Sequence, residues 1–102
     1  MLIAEHHHEM RKTTAEASAN TYNNYAWLLW NKLGSEEAIM YYGRAIELAE
    51  SYLENGMMNP DQARALLAHY SKALIGIYDA TSREKEKKRL LQRLKNSEIE
   101  IN

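Results

Sequence analysis

The chain has no cysteine, no phenylalanine and no valine, one proline and four glycines in 102 residues. Each shortage excludes something. Without cysteine there is no disulfide framework, no thiolate metal site and no Cys nucleophile. Without valine, and with little threonine, the propensity for strand is low. Few glycines and a single proline leave long stretches free to be helical. No long apolar run stands at the N-terminus or elsewhere, so neither a signal peptide nor a transmembrane span is expected, and no membrane role. A cytoplasmic protein is the expectation. The length implies one domain, residues 1–102, with a single modest core.

What is present is helical in composition: Ala, Leu, Glu, Lys and Arg are abundant. The aromatic content is seven tyrosines and two tryptophans, whose polar ends need partners wherever they are buried. Both tryptophans fall in Tyr25-Ala26-Trp27-Leu28-Leu29-Trp30, a run without charge. On a helix such a run is apolar on every side, and predicts packing on every side or a seam between two copies.

Charge is nearly balanced, at −1, but segregated. Glu36, Glu37, Glu47, Glu50, Glu54 and Asp61 face the single base Arg44 between positions 35 and 61. Arg83, Lys85, Lys87, Lys88, Arg89, Arg93 and Lys95 then accumulate against Glu84 and Glu86. An acidic middle and a basic end can pair within one chain or between chains.

Read in order, the periodicity predicts a first helix over 20–33, with residues 1–19 as its N-terminal extension. Tyr22, Tyr25, Ala26, Leu29 and Leu33 share one face, and Trp27 and Trp30 form an adjacent stripe. Gly34 suits a helix C′ position and Ser35 an N-cap, followed by Glu36 and Glu37 in a first turn that favours acids. The second helix, 35–55, carries Ala38, Tyr41, Tyr42, Ala45, Leu48, Ala49, Tyr52 and Leu53 on one face. So short a link forces an antiparallel hairpin.

Asn59-Pro60-Asp61 opens a third helix over 60–80 with a cap, a proline at N1 and an acid in the first turn. Its main face is Ala63, Leu66, Leu67, Tyr70, Leu74, Ile77 and Tyr78. A second stripe of small residues, Ala65, His69, Ala73, Gly76 and Ala80, predicts cover on a second side. Thr81 and Glu84 have capping-box spacing and start a fourth helix, 82–96, or kink a longer one. Leu90, Leu91 and Leu94 are its apolar seam, and the tail 97–102 is expected to fray.

From Leu33 to Leu48 the chain resembles the tetratricopeptide repeat. Ala38, Tyr42 and Ala45 match that family's second helix, and Gly34 its turn glycine if the turn is one residue short. Trp27 stands where a small residue is usual in the first helix. The same segment is similar to the microtubule-interacting-and-trafficking three-helix domain. Either resemblance implies helix-hairpin packing and the binding of a protein or peptide.

Four patterns could carry chemistry. Glu5, His8 and Glu9 share a helical face and could ligate zinc or iron, although a solvated turn is the plainer reading and no second cluster completes a shell. Arg64 and His69 resemble the Arg and His of the helical ribonuclease family called HEPN, which implies RNA cleavage. Ala65 stands where that family has a polar residue, and a chance spacing is the plainer reading. His69 with Lys72 and Ala73 resembles the phosphorelay histidine of helical phosphotransfer domains, against the plainer reading of a helix-flank histidine. The basic run 83–95 could neutralise nucleic-acid phosphates. It lacks interleaved aromatics, so a solvated face or a partner for the acidic second helix is preferred.

The sequence therefore predicts an all-α antiparallel bundle of three to four helices built on a tetratricopeptide-like hairpin. The expected function is a non-catalytic interaction module, an adaptor, chaperone-like or regulatory protein, without cofactor. Its partner is another protein or peptide, with a homodimer expected. Trp27, Trp30, Glu47, Glu50, Glu54, Lys88 and Arg89 are the expected partner-binding residues. An RNA-cleaving enzyme using Arg64 and His69, and nucleic-acid binding through the last helix, are the alternatives.

Overall fold

A computed structural model describes residues 18–101, and within them four helices pack into an all-α bundle. Helix α1 covers 18–31, α2 Ala38–Glu54, α3 Pro60–Ala80 and α4 Glu84–Asn96. No strand occurs among the described residues, and none of their helices is long and apolar enough to cross a membrane.

The α1–α2 hairpin forms at Gly34. Its φ of +61° is costly for any other residue, and it lets the Ser35 N–H reach the Leu29 carbonyl at 2.8 Å. The Ser35 hydroxyl accepts from the Glu37 N–H at 3.2 Å, as a capping serine should. Regular helix nonetheless begins three residues later than expected. Ala38, Ile39 and Met40 donate to carbonyls three residues back, so the chain winds through a tight turn first.

Three helices end alike. The N–H groups of Met57, Arg83 and Ile99 return to the carbonyls of Tyr52, Tyr78 and Leu94, five residues back, at 3.0, 2.8 and 2.8 Å. Gly56, Ser82 and Glu98 sit before them at φ of 63°, 58° and 61°. This is the Schellman ending, which satisfies the last carbonyls of a helix. It also settles the α3–α4 junction as a break between two helices. Thr81 is not a cap for α4, because its hydroxyl donates back to the Ile77 carbonyl at 2.7 Å and closes α3. The expected capping box is not formed: α4 starts at Glu84 with Arg83 before it and no side-chain cap.

Asn59 caps α3 as expected, accepting from the Asp61 and Gln62 N–H groups at 2.8 and 3.4 Å, with Pro60 at the first helical position.

The core lies between α2 and α3. Ala38, Tyr42, Ala45, Ile46, Ala49 and Tyr52 meet Ala63, Leu67, Tyr70, Leu74 and Ile77, all buried. Ile46 was not on the predicted face of α2 and belongs to it. Helix α1 adds Ala19, Ala26 and Leu29, and α4 adds Leu90 and Leu94. Fully burying one such aliphatic side chain is worth roughly 1.5–3 kcal/mol.

Three expectations are corrected. The small stripe of α3 has no second cover among the described residues: Ala65, His69, Gly76 and Ala80 are exposed, Ala73 is half-buried, and a Cβ at Gly76 would meet nothing within 4 Å. The tail is docked over the part described. Ile99 is buried, Ile101 packs on the core, and the Ser97 carbonyl accepts from Arg64 Nε at 3.3 Å. The face predicted for α1 is only partly inward, since Leu33, past the helix end, is 73% exposed.

Candidate functional site

Helix α1 presents its aromatic run unevenly. Ala26 and Leu29 are buried, and Trp30 packs half-buried against the core. Tyr22 and Tyr25 flank Tyr41 of α2, with ring centroids at 6.2 Å stacked and 4.7 Å edge-on. Such pairs add about 0.5–1.5 kcal/mol beyond area burial and pin the hairpin. Beyond them the helix is open. Tyr25, Trp27 and Leu28 remain 46%, 48% and 47% exposed, and neither α3 nor any other described element covers Trp27. Its indole carries only Lys32, whose Nζ lies 5.8 Å from the ring centroid in cation–π range. The expectation of packing on every side of this run does not hold.

The outward half of α1 is not a normal protein surface. Thr21, Asn24, Tyr25, Trp27, Leu28 and Asn31 are all exposed, and no charged residue occurs from 18 to 31. The chain as a whole is 26% charged. Each of α2, α3 and α4 carries charges on its exposed side, among them Arg44, Lys72 and Lys88. Charge enters this face only at its end, with Lys32 on the Trp27 ring, and depletion of charge around exposed aromatics is a trait of interface centres. Leu33 and Met40, at and just after the α1–α2 turn, extend the exposed apolar surface at 73% and 55%.

The segregated charges meet across the fold. Arg83 Nη1 lies 2.9 Å from Glu36 Oε1, Arg93 pairs with Glu50, and Lys87 Nζ lies 2.7 Å from Asp79 Oδ1. Arg83 beside Glu36 holds that carboxyl below the ordinary glutamate range, through the hydrogen bond first and the guanidinium charge second. Glu50 is thus engaged within the chain. Glu47, Glu54, Lys88 and Arg89 stay exposed and form no ion pair among the described residues.

A groove of about 190 Å³ runs between α2, α3 and α4. Ile46 and Leu90 line it, with Tyr78, Glu47, Glu86 and Arg89 around them. Burial raises the Tyr78 hydroxyl above its ordinary range; Glu86 adds to this and Arg93 and Arg83 oppose it.

Within one chain Arg64 and His69 do not converge, which leaves open the pairing across two copies that the ribonuclease resemblance implies. Five residues apart, they point about 140° apart around α3 at 3.6 residues per turn. Arg64 is occupied by the tail: Nε donates to the Ser97 carbonyl, Nη1 lies 3.4 Å from Asp61 and Nη2 3.9 Å from Glu98. His69 is exposed, with its ring edge-on to Tyr70 at 5.8 Å. Glu5, His8 and Glu9 lie outside the described residues. No group of three or more possible metal ligands occurs among the described ones.

The sequence pointed to Trp27 and Trp30 alike, and the structure leaves Trp27 exposed and Trp30 half-buried; the run 18–31 without charge is visible as a gap in the spacing of charged residues. Sequence reasoning missed Arg64 as an anchor for the tail, a contact across 33 positions that no local pattern signals.

No family model, curated protein or solved structure matches the chain. The class is therefore set by the fold: a small all-α bundle whose first helix leaves an aromatic side open.

Proposed function

We propose that this protein is a non-catalytic helical interaction module that docks another protein or peptide on the outer face of α1, a second copy of itself being the expected partner. The observation that supports the reading is the exterior of α1, where exposed Tyr25, Trp27 and Leu28 stand among uncharged polar residues and the one nearby charge is Lys32, on the Trp27 ring. A solvent-facing helix is normally kept soluble by charge, whereas interface centres are depleted of charge and rich in Trp and Tyr. A two-fold interface also places each residue near its own counterpart region, and α1 itself has no charge from 18 to 31 to repel its copy. Stable interfaces bury about 800 Å² on each partner. Half-exposed Tyr25, Trp27 and Leu28, with Leu33 and Met40 beside the turn, offer the apolar centre of such an area.

Trp27 is the anchor. Glu47 and Glu54 lie on α2 and Lys88 and Arg89 on α4, outside the α1 face. Trp30 is half-buried in the monomer, so its substitution tests the core and the docking face together. The test is light scattering over a concentration series. A dimer is expected, and Trp27→Ala or Leu28→Lys should weaken it at least tenfold without altering the helical circular dichroism. A chain that stays monomeric at high concentration removes self-association, and co-purified protein partners then decide the remainder of the proposal.

A further inference from the structure

Pairing within the chain sorts the seven bases of the last helix region into two groups. Arg83, Lys87 and Arg93 pair with Glu36, Asp79 and Glu50. Lys85, Lys88, Arg89 and Lys95 form no ion pair among the described residues and are all exposed. At 3.6 residues per turn these four span about 120° of arc on the side of α4 opposite Leu90 and Leu94, over about 15 Å of helix. Gln92, also exposed, lies in the middle of that arc. Lys88 and Lys95 flank it on one side, Lys85 and Arg89 on the other.

The geometry points to duplex DNA as the ligand of this face, with α4 lying in the major groove and its two cationic flanks reaching the phosphates of both strands. The inference does not rest on the α1 reading. Three observations select the occupant. The ridge has no apolar residue, so a protein partner would find no anchor for a hot spot, whereas phosphates need only cations. It has no aromatic residue, so single strands would find no stacking platform. An α-helix fits the roughly 12 Å major groove of B-form DNA but not the deep, narrow one of A-form RNA. Gln92, central and polar, faces the groove floor, where an amide can pair with adenine. The near-neutral net charge of the chain does not oppose this, because charge is segregated: the three ion pairs cancel among themselves and the four other cations share one arc of α4. Acids border the ridge: Glu84 at the N-terminal end, where the helix dipole favours it, Glu47 and Glu86 around the groove that Arg89 lines, and Glu98 and Glu100 beside Lys95.

Fluorescence anisotropy of a labelled duplex of about 20 base pairs, titrated with the full chain across salt, tests the inference. Four phosphate contacts predict a slope of log K against log salt of about −3 to −4, near −0.9 per contact. Lys88→Gln should lower the slope by about one. The triple variant Lys85→Glu/Lys88→Glu/Arg89→Glu should abolish binding while melting as the parent does, since all three positions are exposed. Any of four results overturns the inference: no binding at low salt, binding that survives the triple variant, tighter binding to the single strand or an RNA duplex, or displacement by polyglutamate as effective as by unlabelled duplex. The last would assign the ridge to an acidic protein instead.

Discussion

The hydroxyl of Tyr70 donates to Asn20 Oδ1 at 2.6 Å, joining α3 to α1 across 50 positions of sequence. Tyr70 is fully buried, so the phenol needs such a partner, and the bond fixes where α1 crosses the core. Tyr70→Phe should therefore cost about 1 kcal/mol in urea denaturation, the net worth of one internal hydrogen bond. Amide exchange in α1 should quicken more than in α2. Equal quickening everywhere would show that the bond does not position α1.

Ser71, the next residue, has the opposite character. It is fully buried, and its Oγ has no hydrogen-bond partner among the described residues. A buried hydroxyl left unpaired costs desolvation without return, and alanine is the better helix former. Ser71→Ala is expected to raise stability by about 1 kcal/mol, read as a higher urea midpoint at unchanged slope. A loss of stability would reveal a partner for the hydroxyl.

The docked tail makes a second stability prediction. Ile99 is 7% exposed and follows Glu98, whose positive φ turns the chain back onto the bundle. Ile99→Ala should cost about 2 kcal/mol, the low end for a buried isoleucine because the chain end can relax. Arg64→Ala should cost less, being a partly exposed contact, yet should speed amide exchange at 97–101. A tail that exchanges freely in the parent protein would contradict both.

Stability should fall at both ends of the pH scale. The folded-state pKa of Glu36 is depressed, so its contribution is present above the ordinary glutamate range and lost as pH falls through the depressed value. In NMR titration its carboxyl should move below that range, and return to it in Arg83→Ala. Tyr42, Tyr52 and Tyr78 are raised by burial, so their contribution is full below the ordinary tyrosine pKa, near 10, and is lost as pH rises through the raised values. Absorbance at alkaline pH should show a late-titrating group of tyrosines whose ionisation coincides with loss of helix. A single early transition for all tyrosines would refute this.

The sequence by itself determined the local elements. Asn59-Pro60 sets the start of α3 because cap and fixed φ are properties of those two residues and their neighbours. Gly34 and Gly56 announce turns because only glycine adopts positive φ without penalty. The alternation of Ala38, Tyr42, Ala45 and Ala49 marks the buried face of α2 through periodicity alone.

The tertiary structure decided what depends on distance in space. Ser82 and Glu98 take the same left-handed ending as Gly56, and nothing in their side chains signals it; the returning N–H groups of Arg83 and Ile99, with burial of Ile99, impose it. Thr81 could cap α4 or close α3, and the tight reversal gave it to α3. Whether Trp27 or Trp30 turned inward depended on where α2 and α3 lie against α1, since both are equally apolar and only one side of the helix is covered. The charges of the last helix are countable in sequence, but only the placement of Glu36, Glu50 and Asp79 in space separates the paired from the free. Local patterns act through a few adjacent residues, whereas these choices were made by contacts between residues many positions apart.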